Sequence, residues 1–279
     1  MGIEKECMLL NLQVSVWKGY RLDKETTRRV IDEANAASDA LRVNKHLVPN
    51  TALAEIVSAT SALRNHFYAK TLPWKDNGDR LLTRKSFMGF IEEHEKLKAD
   101  FDSAVDQFLR VKYPSAQEQA EFRMGATFNA SDYPTEIELR RKFSARLDID
   151  GIARAYDVRL QSDNQAIQDR VTRAMAGLWA RLCKPLENFV ERMSDDEAVF
   201  RNSLVNNLKE VAALIPELNF MEDPQLEAIR QQVEAQLLIW SPDDLRKDKT
   251  ARAKVAGEAA DILETMRGFM IGMGGEDEE

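Results

Sequence analysis

Residues that ligate, titrate or attack are few in this chain. Its three histidines, His46, His66 and His94, fall on three different expected elements. No HExxH, no CxxC and no His–Cys cluster accompanies them, so their spacing disfavours zinc. His94 sits on an apolar helical seam, where protonation would oppose burial, and it reads as a hydrogen-bonded core histidine. The two cysteines, Cys7 and Cys183, are too few for a framework of bridges. A nucleophilic cysteine needs a lowered pKa and a neighbouring base. Cys183, in WARLCKPLENF beside Leu182, reads instead as a buried structural thiol, and Cys7 lies in an N-terminus expected to be mobile.

Phosphate chemistry finds no better footing. The sequence has neither GxxxxGKS/T nor GxGxxG, and FMIGMGGEDEE near residue 279 lacks a following helix to hold an anion. Carboxylates cluster at Glu92-Glu93-Glu95, Asp195-Asp196-Glu197 and Asp243-Asp244. The last two clusters suit helix starts, where they oppose the macrodipole, and none singles out one acid and one base. The remaining candidate is LRKDKTARAK, with Arg246, Lys247, Lys249, Arg252 and Lys254. On one helix these cations would cover much of the circumference and could grip phosphates or an acidic partner. No aromatic residues interleave them, as a single-strand platform would require. The bland alternative is a solvated helix face. No cofactor, metal ligand set or catalytic residue is expected.

The totals set the frame for these residues. The chain has 279 residues, 44% hydrophobic and 31% charged, which fits a soluble helix-rich protein and argues against wholesale disorder. Its 12 Gly and 8 Pro are too few for an all-β sandwich. A formal charge of -8 opposes bulk attraction to nucleic acid. Free cysteines, the absence of a signal-peptide pattern in MGIEKECMLL and the lack of a long apolar run together predict a cytoplasmic protein with no membrane partner.

The elements that must position any site are mostly helices. LLNLQVSVW, residues 9–17, alternates as a half-buried strand, with Trp17 on the face opposite Leu10, Leu12, Val14 and Val16. Asp23 caps a helix to about residue 37, and 38–49 read as irregular. Asn50 opens a helix with Leu53, Ile56, Val57, Leu63 and Phe67 on its apolar face. From about 85 to 112, Phe87, His94, Phe101 and Phe108 recur every seven residues, until Tyr113-Pro114 breaks the pattern. GATFNASDYPTEIELRRKF supplies turn chemistry and a Thr135–Glu138 capping box, and reads as a joint into a hairpin at Asp150-Gly151. The returning strand carries Tyr156, Val158 and Leu160. Beyond 164 the chain is helical, with a stripe from Ile167 to Met193, a kink or break at Pro185, and starts at Asp223-Pro224 and Ser241-Pro242.

The stretch LNLQVSVWKGYRLDKETTRRV, followed later by MGATFNASDYPTEIELRRKFSARLDI and AYDVRLQ, resembles a family of uncharacterised phage and bacterial proteins carrying a domain of unknown function. The shared feature is an N-terminal strand ending in Trp-x-Gly-x, here Trp17-Lys18-Gly19-Tyr20. The resemblance implies a mobile-element origin and, through gene neighbourhood, an AAA+ ATPase partner. It carries no catalytic residues. The Trp17–Gly19 step itself reads structurally, with Trp17 covering the sheet edge and Gly19 adopting positive φ.

The expected fold is therefore mainly α (α+β): long antiparallel helices packed with a small antiparallel β-sheet. Two lobes are expected, residues 1–162 with the sheet and residues 163–272, followed by a disordered acidic tail at 273–279. The expected function is a non-enzymatic adaptor that binds a host protein, an AAA+ ATPase or a second copy of itself through helical surfaces. The late methionines Met266, Met270 and Met273 offer adaptable contact area for that role. The alternative is a nucleic-acid-associated accessory protein using the basic 245–254 segment.

Overall fold

The fold is that of a computed structural model, which describes residues 3–152, 163–195 and 198–272. It is mainly α with small antiparallel sheets. A short helix α1 (Ile3–Glu6) leads into strand β1 (Cys7–Ser15), then β2 (Tyr20–Leu22), α2 (Lys24–Ala34) and β3 (Asn44–His46). Helix α3 (Ala54–Lys70), strands β4 (Leu72–Pro73) and β5 (Arg80–Thr83), and helix α4 (Phe87–Gln107) follow. Three short helices, α5 (Tyr113–Glu118), α6 (Ala120–Met124) and α7 (Glu136–Arg140), precede β6 (Ser144–Asp150). The rest is α8 (Asp163–Ser194), α9 (Asn202–Leu218), α10 (Pro224–Gln232), α11 (Pro242–Lys247) and α12 (Lys249–Gly272).

The chain divides into two compact units, and neither is one continuous segment. The first comprises the described residues of Met1–Asn11, Tyr68–Phe90 and Asp148–Glu279; the second comprises Leu12–Phe67 and Ile91–Leu147. This replaces the expected division at residue 162. The reason is the core: Cys7, Leu9, Leu72, Trp74 and Leu81 are buried in the same cluster as Leu178, Leu182, Leu208, Val255 and Met266. A strand can bury both its faces only where another layer covers it.

The main sheet has the order β4-β5-β1-β6. Cys7, Met8, Leu9 and Leu10 pair with Thr83, Leu82, Leu81 and Arg80 in antiparallel register. All four residues from Cys7 to Leu10 are buried, so this end of β1 has no polar face and its sequence does not alternate. β5 takes one side of β1 and β6 the other. The returning strand of the hairpin expected at Asp150-Gly151, at Tyr156–Leu160, lies outside the described residues, as do Met273 and the 273–279 tail. The 38–49 segment, expected to be irregular, contains β3, which pairs with β2 through Tyr20–His46, Arg21–Lys45 and Leu22–Asn44.

In the first unit, α8 runs for 32 residues through Pro185 without breaking. Its apolar stripe, widened by Ala174, Trp179 and Cys183, packs against α9 and α12. Trp179 sits wholly inside and donates from Nε1 to Asp223 at 3.0 Å. Asp223 in turn accepts from the backbone of Gln225 and caps α10.

In the second unit, Phe101, Phe108, Leu63, Ile56 and Leu139 form the core. Val57, expected on the apolar face of α3, is 54% exposed, and Thr60 takes the buried position instead. The Tyr113-Pro114 step does not stop the helix. A π turn at Phe108–Lys112 joins α4 to α5, with the Tyr113 N–H bonded to the Phe108 carbonyl. The wider turn lets the chain pass a proline that cannot donate a hydrogen bond.

The 125–143 stretch is anchored by Lys45. Its ammonium donates to the Thr127 carbonyl at 3.0 Å and to Asp132 at 3.1 Å, and it faces Asp23 at 3.5 Å. Hydrogen bonds from Thr26, helped by Lys45, hold the Asp23 carboxyl below its ordinary pKa. Thr135 and Glu138 form both bonds of a capping box at the start of α7.

Trp17 is not at a sheet edge. It lies in the core of the second unit, with its ring 6.1 Å from Phe108 and edge-on to Tyr113 at 5.9 Å. Gly19 has φ +74°, and a Cβ there would stand 2.9 Å from Leu53 Cδ1 and 3.0 Å from Val48 Cγ2. Gly19→Ala is expected to destabilise by about 1–3 kcal/mol, from strain and crowding together. Gly89→Ala, where the added methyl meets nothing within 4 Å, should stabilise α4 by about 0.5–1 kcal/mol. Urea midpoints of the two variants against the wild type test both signs.

Candidate partner-binding surface

The basic 245–254 segment does not form one helical face. Its chain is broken at Asp248, which is extended (φ -110°, ψ 98°) and accepts from the backbone N–H of Thr250 and Ala251 to cap α12. Arg246 and Lys247 therefore end α11, while Lys249, Arg252 and Lys254 begin α12.

Two of the five cations are engaged inside the first unit. The Arg252 guanidinium is buried and donates to the carbonyls of Arg192 (2.7 Å), Met193 (3.3 Å), Asp195 (2.5 Å) and Ala198 (3.0 Å). These include carbonyls that the end of α8 leaves without helical donors. Arg246 donates to the Phe200 carbonyl and to Asn202, and pairs with Asp243 at 2.6 Å. Both guanidinium groups lie over the Phe200 ring, at 5.1 Å and 5.3 Å. Lys254 pairs with Glu258 at 3.6 Å, and Lys247 and Lys249 are exposed.

The other candidates are also placed. His94 is 1% exposed on the α4 seam, and burial holds its pKa below the usual histidine value, more than Glu95 can offset. Burial pushes the Cys7 thiol up to about 12 and raises Cys183 as well. Asp79, Asp148 and Asp150 share a polar cleft with Lys75 and Asn11. Burial opposes ionisation of Asp79, but hydrogen bonds from Asn11 and Asn77 outweigh it and keep its pKa low. No group of three or more His, Cys, Asp or Glu able to hold a metal is present among the described residues. No described helix is long and apolar enough to cross a membrane.

A more open cationic surface lies on α8 and α9, next to the turn that Arg246 and Arg252 hold. Gly177, Arg181, Lys184 and Asn188 of α8 face Leu204 and Asn207 of α9 across a groove of about 490 Å³. It continues past Glu191, Arg192, Arg201 and Ser203 in a second recess of about 410 Å³ that shares Asn188, Leu204 and Asn207. Four lining residues are cationic (Arg181, Lys184, Arg192, Arg201) and one is acidic (Glu191). Arg181 is held from behind, donating to the carbonyls of Tyr68 and Ala69 in the last turn of α3 and to Thr71. Lys184, Arg192 and Arg201 form no ion pair among the described residues and project into solvent.

The groove had a sequence signal. Arg181, Lys184, Asn188 and Arg192 recur at spacings of three and four, on the polar side of the Leu178–Leu182–Leu186 stripe. Only the tertiary structure separates the open Lys184 and Arg192 from the engaged Arg181.

Arg252→Ala should cost about 3 kcal/mol or more, because several buried carbonyls lose their donor, while Lys247→Ala stays within about 0.5 kcal/mol. Urea unfolding of both variants checks the contrast. The thiols give a second test. Attack on a disulfide reagent requires thiolate, so at pH 8 native protein should react slowly at both cysteines, and urea-unfolded protein at once. A rapid native reaction would place a cysteine outside the core. No protein-family model, no curated protein and no solved structure matches this chain.

Proposed function

We propose that this chain is a non-enzymatic adaptor that binds a protein partner through the α8–α9 surface. The observation that carries the reading is the groove itself: open cations and side-chain amides line it, and Val199 at its rim is 92% exposed. Cations left without internal partners cost nothing while solvated, and they are available to a partner's charges. The helices beneath are fully packed, so the surface is preformed and binding would order little beyond side chains.

A mobile-element origin and an AAA+ ATPase as partner rest on the resemblance at Trp17–Tyr20 alone. A partner of that kind would make capture depend on nucleotide. The nucleic-acid reading loses support from the 245–254 segment, since Arg246 and Arg252 are engaged within the first unit.

A photo-crosslinking residue at position 199, at the groove rim, tests the reading in host lysate with and without ATP. The expected result is one dominant protein adduct that a probe at Val57, an exposed position on α3, does not give. An ATP-dependent adduct would identify the partner class. Equal, diffuse labelling from both positions would overturn the assignment of this surface.

A further inference from the structure

The groove's chemistry specifies its occupant more narrowly than an adaptor role requires. We infer that the α8–α9 groove takes an extended acidic peptide segment, an inference that rests on the adaptor reading of the same surface. Charge is the first argument. Lys184, Arg192 and Arg201 stand in or beside the groove without an ion pair among the described residues, in a chain whose formal charge is -8. Local fields dominate within a Debye length of about 8 Å, so the groove attracts carboxylates that the rest of the protein repels at longer range.

The backbone supplies the second argument. Pro185 lines the groove in the middle of α8. A proline has no N–H, so the carbonyl four residues earlier, that of Arg181, lacks its usual helical donor. A peptide N–H is a donor of the kind such an acceptor takes. Asn188 of α8 and Asn207 of α9 both line the groove, and each amide can both donate to and accept from an extended backbone. Leu204, half-buried at the groove floor, gives an apolar contact between charged positions.

A nucleic-acid strand fits this surface less well. Strand binding favours aromatic platforms for base stacking. The one aromatic residue at the groove, Phe200, is 5% exposed and lies beneath two arginines.

The test uses the full-length protein and a short fluorescein-labelled peptide of alternating Glu and Leu, read by fluorescence anisotropy at low salt. Binding is expected, weakening as salt rises. It should fall about tenfold or more in R192E/R201E, and partly in the neutral R192Q/R201Q, which guards against a folding defect caused by charge reversal. K247E/K249E is expected to bind as wild type, and circular dichroism checks the fold of each variant. An absence of binding, binding unchanged in R192E/R201E, or displacement by single-stranded oligothymidine at lower concentration than by unlabelled peptide would each overturn the inference. Loss of peptide binding alongside a specific adduct at position 199 would remove the acidic-peptide chemistry and leave the adaptor reading standing. Loss of both would remove both.

Discussion

The Arg252 guanidinium holds the end of the longest helix. By accepting that group, the carbonyls of Arg192, Met193, Asp195 and Ala198 find donors where α8 stops supplying them, and the chain can turn toward α9. Arg246 adds bonds at the start of α9, through Phe200 and Asn202. Because α12 carries Arg252 and also packs along α8, one side chain links the register of two core helices to the geometry of a surface connection. The groove between α8 and α9 depends on that connection for its shape. Arg181 plays a comparable part at the end of α3, donating to the carbonyls of Tyr68 and Ala69. Burial lowers its pKa, and it also lowers that of Arg80, which lies over Tyr68 and bonds to Thr71.

Guanidinium groups at helix ends satisfy acceptors in a fixed fork, with a charge that opposes the negative end of the macrodipole. This division of labour explains why a count of local charges misplaces the binding surface. LRKDKTARAK is the densest cationic run, yet both its arginines bond to acceptors of the same unit. The sparser RxxKxxxNxxxR of α8 keeps Lys184 and Arg192 in solvent. Charge density along the chain is a one-dimensional quantity, and availability is a three-dimensional one.

Much of the helical framework was legible in the residues. The Thr135–Glu138 box, the caps at Asp23, Asp223 and Ser241, and the stripe from Met175 to Met193 each follow from local rules that tertiary packing did not override. The short strands were not legible. β5 carries Leu81 and Leu82 side by side, both buried, so its four residues have no period of two to detect. β4 is two residues long and includes a proline, tolerable only at the sheet edge it occupies. Trp17 misled for a related reason: beyond the end of β1 alternation no longer applies, and its ring goes into an aromatic cluster. The π turn before Tyr113 shows how a proline pattern that normally ends a helix can be absorbed by one wider turn.

The discontinuous units impose an order on synthesis. The second unit has all of its chain once residue 147 has emerged from the ribosome, whereas the first must wait for α8 to α12. At about 5–20 residues per second, β1 and β5 spend several seconds without the layer that covers them. During that interval Cys7, Leu9 and Leu81, all buried in the finished core, face water on a strand pair with unpaired edges. β1 is thus made before the helices that shelter it. Any need for a chaperone during synthesis therefore centres on β1 and β5, whose covering layer is translated after them.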